Sequence, residues 1–178
     1  DVPITGGTVV GSEDGGGIRS GGDLTLENVI VAGNTAGDSG GGINSSGSLA
    51  LVGSTVSANS ATGDGGGVRN TGTMSVLNSE ISANSSGLDG GGLVNIAQGE
   101  ASFNNSTFSG NTAGRDGGGI HNEATVSLGN ATIVYNNAEQ NAGGVSSAGG
   151  SLTSLQNTMV ALNTATLNFA DLSGTFTT

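Results

Sequence analysis

Acidic residues stand directly before a recurring run of glycines, and their type and spacing suit metal binding or turn capping. Asp38 lies one residue early and Asn141 replaces the last carboxylate, so the regular members are Asp14, Asp64, Asp89 and Asp116. The pattern favours a cap, in which each carboxylate accepts backbone N–H groups of its own glycine turn. The alternative is calcium shared by Asp64, Asp89 and Asp116, because this hard cation takes six to eight oxygen ligands. No other cofactor is expected.

The basic residues are few, and their positions predict surface roles. His121 is the only histidine, and it comes one residue after an aliphatic residue that follows the glycines. Strand alternation turns this position outward, so we expect a solvated side chain. Arg19 and Arg69 share the same column of the repeat, roughly 10 Å apart if equivalent positions stack. They would flank an acidic ligand or, more simply, offset the nearby aspartates.

A repeat of about 25 residues must position these groups. Gly-Gly followed by an aliphatic residue recurs at Ile18, Ile43, Val68, Leu93, Ile120 and Val145, at intervals of 25 with one of 27. Sixteen or eighteen residues later comes an asparagine, at Asn34, Asn59, Asn84, Asn111, Asn136 and Asn163. The fourth and sixth units keep register through two-residue insertions near Ala97-Gln98-Gly99 and Gly149-Gly150. We expect these insertions to bulge as loops that suit a specific partner.

The apolar residues between these markers alternate, as in Leu24 and Leu26 or Met74 and Val76, which predicts strands. Each unit therefore predicts three short strands and three turns, too thin to bury anything alone and stable only when stacked. The predicted fold is all-β, a single-stranded right-handed parallel β-helix of about six coils. We expect one domain over 1–178, with a partial coil at 1–15, six repeats at 16–163 and a terminal coil or cap at 164–178. The crossover rule supports the right-handed sense.

Stacking gives the asparagines and glycines a physical role. An inward asparagine can pass its amide to the next coil, which predicts a ladder through Asn34, Asn59, Asn84, Asn111, Asn136 and Asn163. A second ladder is predicted for a column that is broken only at Gly53: Asn28, Asn78, Asn105, Asn130 and Asn157. The glycines before each aliphatic residue permit positive φ and close backbone approach at a corner.

The amino-acid composition and the net charge limit the classes of partner that this chain can bind. The 178 residues include 36 glycines, no cysteine and no lysine, and the net charge is -11. Nucleic acid is excluded as a partner because phosphate binding needs clustered Lys and Arg. No apolar run approaches the roughly 20 residues of a spanning helix, so the segment is not predicted to cross a membrane. The chain opens at Asp1 without a methionine, which predicts a processed N-terminus or an excised segment.

The repeat resembles the GGAI and FxxN repeats of bacterial polymorphic outer-membrane proteins and autotransporter passengers. Phe108-Ser109-Gly110-Asn111 fits the second motif, whereas the other units carry Val or Ile in place of the phenylalanine. The resemblance covers essentially the whole chain. It implies a right-handed β-helix at the bacterial cell surface or secreted from it, with a structural or adhesin-like role as a stalk, coat or filament subunit. A glycan or a host-cell-surface ligand is the kind of partner that it implies.

Two other functions stay open. A polysaccharide-binding or polysaccharide-degrading protein would share the fold, but lysine is absent and no single face gathers Asp, Arg and His, so catalysis is not expected. A homopolymeric fibre would form by self-association through the open strand edges at both ends. Two outward hydroxyl columns suit a solvated polar face better than an ice-binding one: Thr25, Ser75, Ser102, Ser127 and Ser154, and Thr35, Ser60, Ser85, Thr112 and Thr164.

Overall fold

The computed structural model describes residues 2–178 and confirms an all-β solenoid of stacked parallel coils. Residues 2–178 contain no helix. Four parallel sheets run the length of the solenoid, and every strand pairs with the equivalent strand one coil away. Each complete coil contributes one strand to each sheet, and the chain then passes through the run of glycines, here called the glycine corner, to the next coil. The sheets are numbered 1 to 4 in the order in which the chain passes through them. Asn59 and Asn84 are hydrogen-bonded neighbours, as the repeat requires.

The strand bounds follow the repeat. Sheet 1 contains Ile18–Ser20, Ile43–Ser45, Val68–Asn70, Leu93–Asn95, Ile120–Asn122, Val145–Ser147 and Leu172–Ser173. Sheet 2 contains Leu24–Glu27, Ser48–Val52, Thr73–Leu77, Glu100–Asn104, Thr125–Gly129, Leu152–Gln156 and Phe176–Thr177. Sheet 3 contains Val2–Thr5, Val29–Ala32, Thr55–Ser57, Glu80–Ser82, Thr107–Ser109, Thr132–Val134 and Met159–Ala161. Sheet 4 contains Thr35–Ala36, Ser60–Ala61, Ser85–Ser86, Thr112–Ala113, Asn137–Ala138 and Thr164–Ala165.

The structure adds a fourth strand to the predicted coil and raises the number of coils from about six to about seven. Sheet 4 is a fourth strand of two residues in each coil, too short to leave an alternation pattern in the sequence. The first and last segments also pair as coils, so that the solenoid has about seven turns. Val2–Thr5 pairs with Val29–Ala32, and Leu172 and Phe176 pair with Val145 and Thr153.

The core is a set of apolar columns inside the solenoid. In Thr73–Leu77 the burial alternates, with Met74 and Val76 buried and the three other residues exposed. The fully buried side chains are mostly Val, Ile and Leu, since the cross-section leaves little space for aromatic rings. Phe103 and Phe108 are the exception, and their rings meet edge to face with centroids 5.0 Å apart.

The predicted asparagine ladder is continuous. The Nδ2 of Asn59 donates to the Oδ1 of Asn84 at 3.0 Å and to the carbonyl of Val31 at 2.9 Å. The backbone N–H of Asn59 donates to the same Oδ1 at 3.0 Å. This arrangement repeats from Asn34 to Asn163, where the Oδ1 of Asp171 accepts the last amide at 2.9 Å. Each coil therefore satisfies the buried polar groups of its neighbour.

The second predicted column forms only a broken and exposed ladder. Asn28, Asn78, Asn105, Asn130 and Asn157 are exposed, and each has φ between 48° and 53°. Asparagine tolerates this left-handed region better than most residues, and Gly53, with φ of 56°, takes the same conformation. The column therefore marks the tight turn between sheets 2 and 3. Its few contacts between side chains are exposed, such as Asn105 Nδ2 to Asn78 Oδ1 at 3.3 Å.

The glycine corner before sheet 1 works as predicted. Its first glycine has positive φ, as at Gly65 with 67°. A Cβ on the second glycine, for example Gly66, would overlap the backbone of Ser85 and Gly91. Only glycine allows the chain to turn this tightly against its own coil and the next one.

Replacing Asn84 by alanine removes an Oδ1 that accepts two hydrogen bonds and an Nδ2 that donates two. The backbone N–H of Asn59 is then buried without a partner and its Nδ2 keeps only the carbonyl of Val31, so we expect a loss of about 3 kcal/mol in the free energy of unfolding. Urea denaturation followed by circular dichroism measures it. Asn104→Ala, at an exposed strand end, is the control and changes stability by less than about 0.5 kcal/mol. Equal losses in the two variants would contradict the ladder.

Replacing Gly66 by alanine places a Cβ against backbone atoms of two segments, so we expect the melting temperature to fall or folding to fail. Gly149→Ala is the matched control, because a Cβ there meets nothing within 4 Å. Thermal denaturation of the two variants compares them. A fall of the same size in both would show that chain flexibility, and not the close approach at the corner, explains the glycines.

Candidate functional site

The predicted acidic column lies at the corner between sheets 4 and 1, and its carboxylates are half-buried. The Oδ1 of Asp64 accepts the backbone N–H of Asp89 at 3.0 Å, and the Oδ1 of Asp89 accepts that of Asp116 at 3.0 Å. The capping prediction is thus right in kind but wrong in target, since each carboxylate caps the next coil and not its own turn. Equivalent residues stack one rung apart, which brings the amide of the next coil within reach.

The exceptions in this column follow the same rule. Ser39, and not Asp38, takes the equivalent position in its coil: its N–H donates to Asp14 Oδ1 at 3.0 Å, and its Oγ accepts the N–H of Asp64 at 3.2 Å. Asn141 donates from its backbone and its side chain to Asp116 Oδ1, both at 2.9 Å. A carboxylate, a hydroxyl and an amide all occupy this column, so its shared property is a polar side chain that bonds the neighbouring coil.

The arginines pair with acidic residues of their surroundings. Arg69 Nη1 lies 3.9 Å from Asp14 Oδ2 and donates to Asn44 Oδ1 at 3.3 Å, while Asn44 Nδ2 donates to the same Asp14 oxygen at 3.0 Å. Arg19 faces Glu13 at 3.7 Å with both side chains largely exposed. Arg115, which the sequence analysis did not select, bonds the Oδ2 of Asp89. The arginines offset carboxylates, in agreement with the simpler of the two expectations.

His121 is buried, so the prediction of a solvated side chain is wrong. Only 7% of the residue is exposed, and Val94 and Ser146, its neighbours in the column, are buried as well. The column does point away from the core, but the glycine corner lies over it: a Cβ on Gly65 would meet a methyl group of Val94. His121 Nε2 lies 3.5 Å from Glu123 Oε1, and its Nδ1 has no hydrogen-bond partner among residues 2–178.

The outward hydroxyl columns are placed as predicted, and one of them lines a trough. Ser75, Ser102, Ser127 and Ser154 stand in line on the outer face of sheet 2. They form the floor of a shallow trough of about 490 Å³, whose walls include Leu77, Asn104 and Gln156. The lining carries no charged group. The trough therefore offers hydroxyl and amide groups along several coils, but no acid or base.

Both insertions lie between sheets 1 and 2, as predicted. The first is a turn closed by the N–H of Gly99 donating to the carbonyl of Ile96 at 3.0 Å, with Ala97 and Gln98 exposed. The second is closed by the N–H of Ser151 donating to Ala148 at 3.0 Å. Both turns place their central residues at the surface, and a role of these loops in partner binding stays a prediction.

Sequence reasoning missed two further buried polar columns. In sheet 1, Asn70 Nδ2 donates to Asn95 Oδ1 at 2.8 Å, and Asn95 Nδ2 donates to Asn122 Oδ1 at 2.9 Å. At the turn into sheet 3, Ser54 and Ser79 are buried, and the N–H of Ser54 donates to Ser79 Oγ at 3.0 Å. For the column in sheet 1, the signal in the sequence was an Asn or a Ser two residues after each aliphatic residue that follows the glycines. Because the column mixes these two residue types, the repeat analysis did not single it out.

Because these side chains are engaged in hydrogen bonds between coils, few of them are left to bind a ligand at the corner. Within residues 2–178 no group of three or more His, Cys, Asp or Glu side chains is placed to hold a metal ion, and calcium at Asp64, Asp89 and Asp116 stays a prediction. Among the same residues no helix is long and apolar enough to span a bilayer. Taken together, the corner is a hydrogen-bonded seam that ties consecutive coils to each other.

No model of a known protein family, no curated protein and no solved structure matches the chain. Membership of the bacterial surface-repeat family stays an inference from the motifs.

Replacing Asp64 by alanine leaves the N–H of Asp89 without its acceptor, so we expect a loss of about 1 kcal/mol in stability. Asp64→Asn keeps an acceptor oxygen at this position and is expected to stay close to the wild type. Melting temperatures measured with calcium and with a chelator test the alternative. A rise with calcium that Asp64→Asn abolishes would establish a shared calcium ion, since calcium sites need the carboxylate charge.

Proposed function

We propose that this chain is a non-catalytic structural module of a secreted or cell-surface bacterial protein, serving as a stalk, coat or adhesin-like passenger. One observation carries the proposal: the polar side chains that could do chemistry recur with the coil and are engaged in bonds between coils. Asn59, Asp64 and Asn95 each bond their counterpart one coil away. Functional sites usually break a structural pattern, whereas these residues make it.

The energetics of the fold are compatible with an exposed location. The chain has no cysteine, so its stability does not depend on a disulfide or on the redox state of its surroundings. Continuous ladders and close-packed columns instead distribute stability over every coil. The resemblance of the Gly-Gly-aliphatic and FxxN motifs to bacterial surface repeats points in the same direction.

The trough on sheet 2 favours polysaccharide binding as a second candidate function. Its floor of serine hydroxyls and its amide-bearing wall offer neutral hydrogen-bonding groups to an extended, uncharged chain of sugars. The absence of charged groups from the lining gives no acid–base pair for cleavage there. Binding without hydrolysis is therefore the activity that this trough suits.

The surface proposal is tested by labelling intact cells of the source organism with an antibody against the chain. We expect label and protease sensitivity at the surface of unpermeabilised cells, with a cytoplasmic protein as the negative control. Label that appears only after permeabilisation would overturn the proposal.

A glycan array and a lyase assay in calcium separate the second candidate function from the first. Ser102→Arg places a bulky charge on the exposed floor of the trough, and Ser60→Arg, exposed in sheet 4, is its matched control. Binding to a neutral glycan that Ser102→Arg abolishes and Ser60→Arg preserves would support the trough. Product formation in the lyase assay would contradict the non-catalytic role.

A further inference from the structure

A cluster of exposed apolar residues interrupts the polar outer face of sheet 3. In the preceding coils this face carries Glu80, Ser82, Thr107 and Ser109 at its outward strand positions. The next two coils instead place apolar side chains on the strand and at the corner that follows it. We call these the corner patch: Val134, Tyr135, Met159, Ala161 and Leu162. Tyr135 is 66% exposed, Leu162 62% and Met159 53%.

Two of these residues hold a backbone conformation that disfavours them. Tyr135 and Leu162 have φ of 58° and 59°, in the left-handed region. The same corner is occupied elsewhere by small residues: Gly33, Ala58, Ala83 and Gly110. Any L-residue in this region, alanine included, costs roughly 1–2 kcal/mol, and bulky residues are rarer there than small ones. Tyr135 and Leu162 add to this cost a large exposed apolar side chain that the monomer leaves unburied and that a contact would bury.

The chemistry of the corner patch points to a protein partner and not to a sugar. Sugar sites surround an aromatic ring with hydrogen-bonding groups, whereas four of the five side chains here are purely hydrocarbon or thioether. Exposed apolar clusters rimmed by polar residues are typical of protein–protein contacts. The rim here is polar, with Thr132 and Asn137 beside the corner patch.

The charge distribution favours a second copy as the partner. The chain carries a net charge of -11, but residues 133–178 contain only Glu139 and Asp171 as charged side chains. Two copies therefore repel each other least where their corner patches face each other. Tyr135 and Leu162 are also one coil apart in one column, since Val134 pairs with Ala161 immediately before them. About a two-fold axis, Tyr135 of each copy would lie against Leu162 of the other, as a symmetric interface requires.

We propose that the corner patch is a self-association surface that joins two copies of this chain side by side. The patch is smaller than the roughly 800 Å² per partner of a stable complex, so the association is weak and depends on concentration. In a dense surface layer, where copies are held close together, a weak lateral contact is sufficient to order neighbouring rods. This contact is separate from any pairing of strand edges at the ends.

Sedimentation velocity of the 178-residue chain between about 10 µM and about 1 mM tests the proposal, since a weak dimer populates only at the upper end. We expect the apparent mass to rise from 16.9 kDa towards twice that value. Tyr135 is the only tyrosine and tryptophan is absent, so tyrosine emission reports burial of the corner patch directly. An unchanged mass and unchanged emission up to the highest concentration would overturn the proposal.

The decisive variant is Tyr135→Gly combined with Leu162→Gly. Glycine suits the positive φ at both corners, so we expect the melting temperature to hold or rise while the increase in mass is lost. Ala58→Gly with Ala83→Gly is the matched control, in the same column but outside the corner patch, and should associate like the wild type. If the Tyr135/Leu162 variant still associates, the contact lies elsewhere, for example at the strand edges, and the proposal fails.

Discussion

The stacking of each residue on its counterpart one coil away is the constraint on which the rest of this molecule depends. A single coil cannot bury its apolar residues or satisfy its inward polar groups, because its hydrogen-bond partners belong to the neighbouring coils. The asparagine ladder makes this explicit, since the amide of Asn59 is satisfied only when Asn84 lies beside it. Stability is therefore a property of the stack and not of any single coil.

The same constraint explains the unusual composition. The corner has room only for glycine where two backbones meet, and the narrow interior is filled by small and branched aliphatic residues. It also explains why acidic residues recur without forming a site. Each carboxylate of the corner column uses one oxygen to cap the next coil. A charged residue at this position therefore stabilises the contact between coils.

Departures from the repeat are consequently more informative about function than the repeat is. The two inserted turns between sheets 1 and 2 place their central residues at the surface, and the corner patch replaces small corner residues by Tyr135 and Leu162. The inserted turns also reach the interior, since the buried amide of Asn95 donates to the carbonyl of Gly99. The corner patch changes only the outer surface.

The sequence by itself determined the solenoid, its period and its main ladder, because residues of one column share a single environment and therefore a single residue type. It did not reveal sheet 4, the Asn70–Asn95–Asn122 column or the burial of His121. Two-residue strands are too short for alternation, and mixed Asn and Ser conceal a column. Alternation distinguishes inward from outward positions, but only the tertiary structure decides whether an outward position meets water or, as at His121, lies beneath the glycine corner.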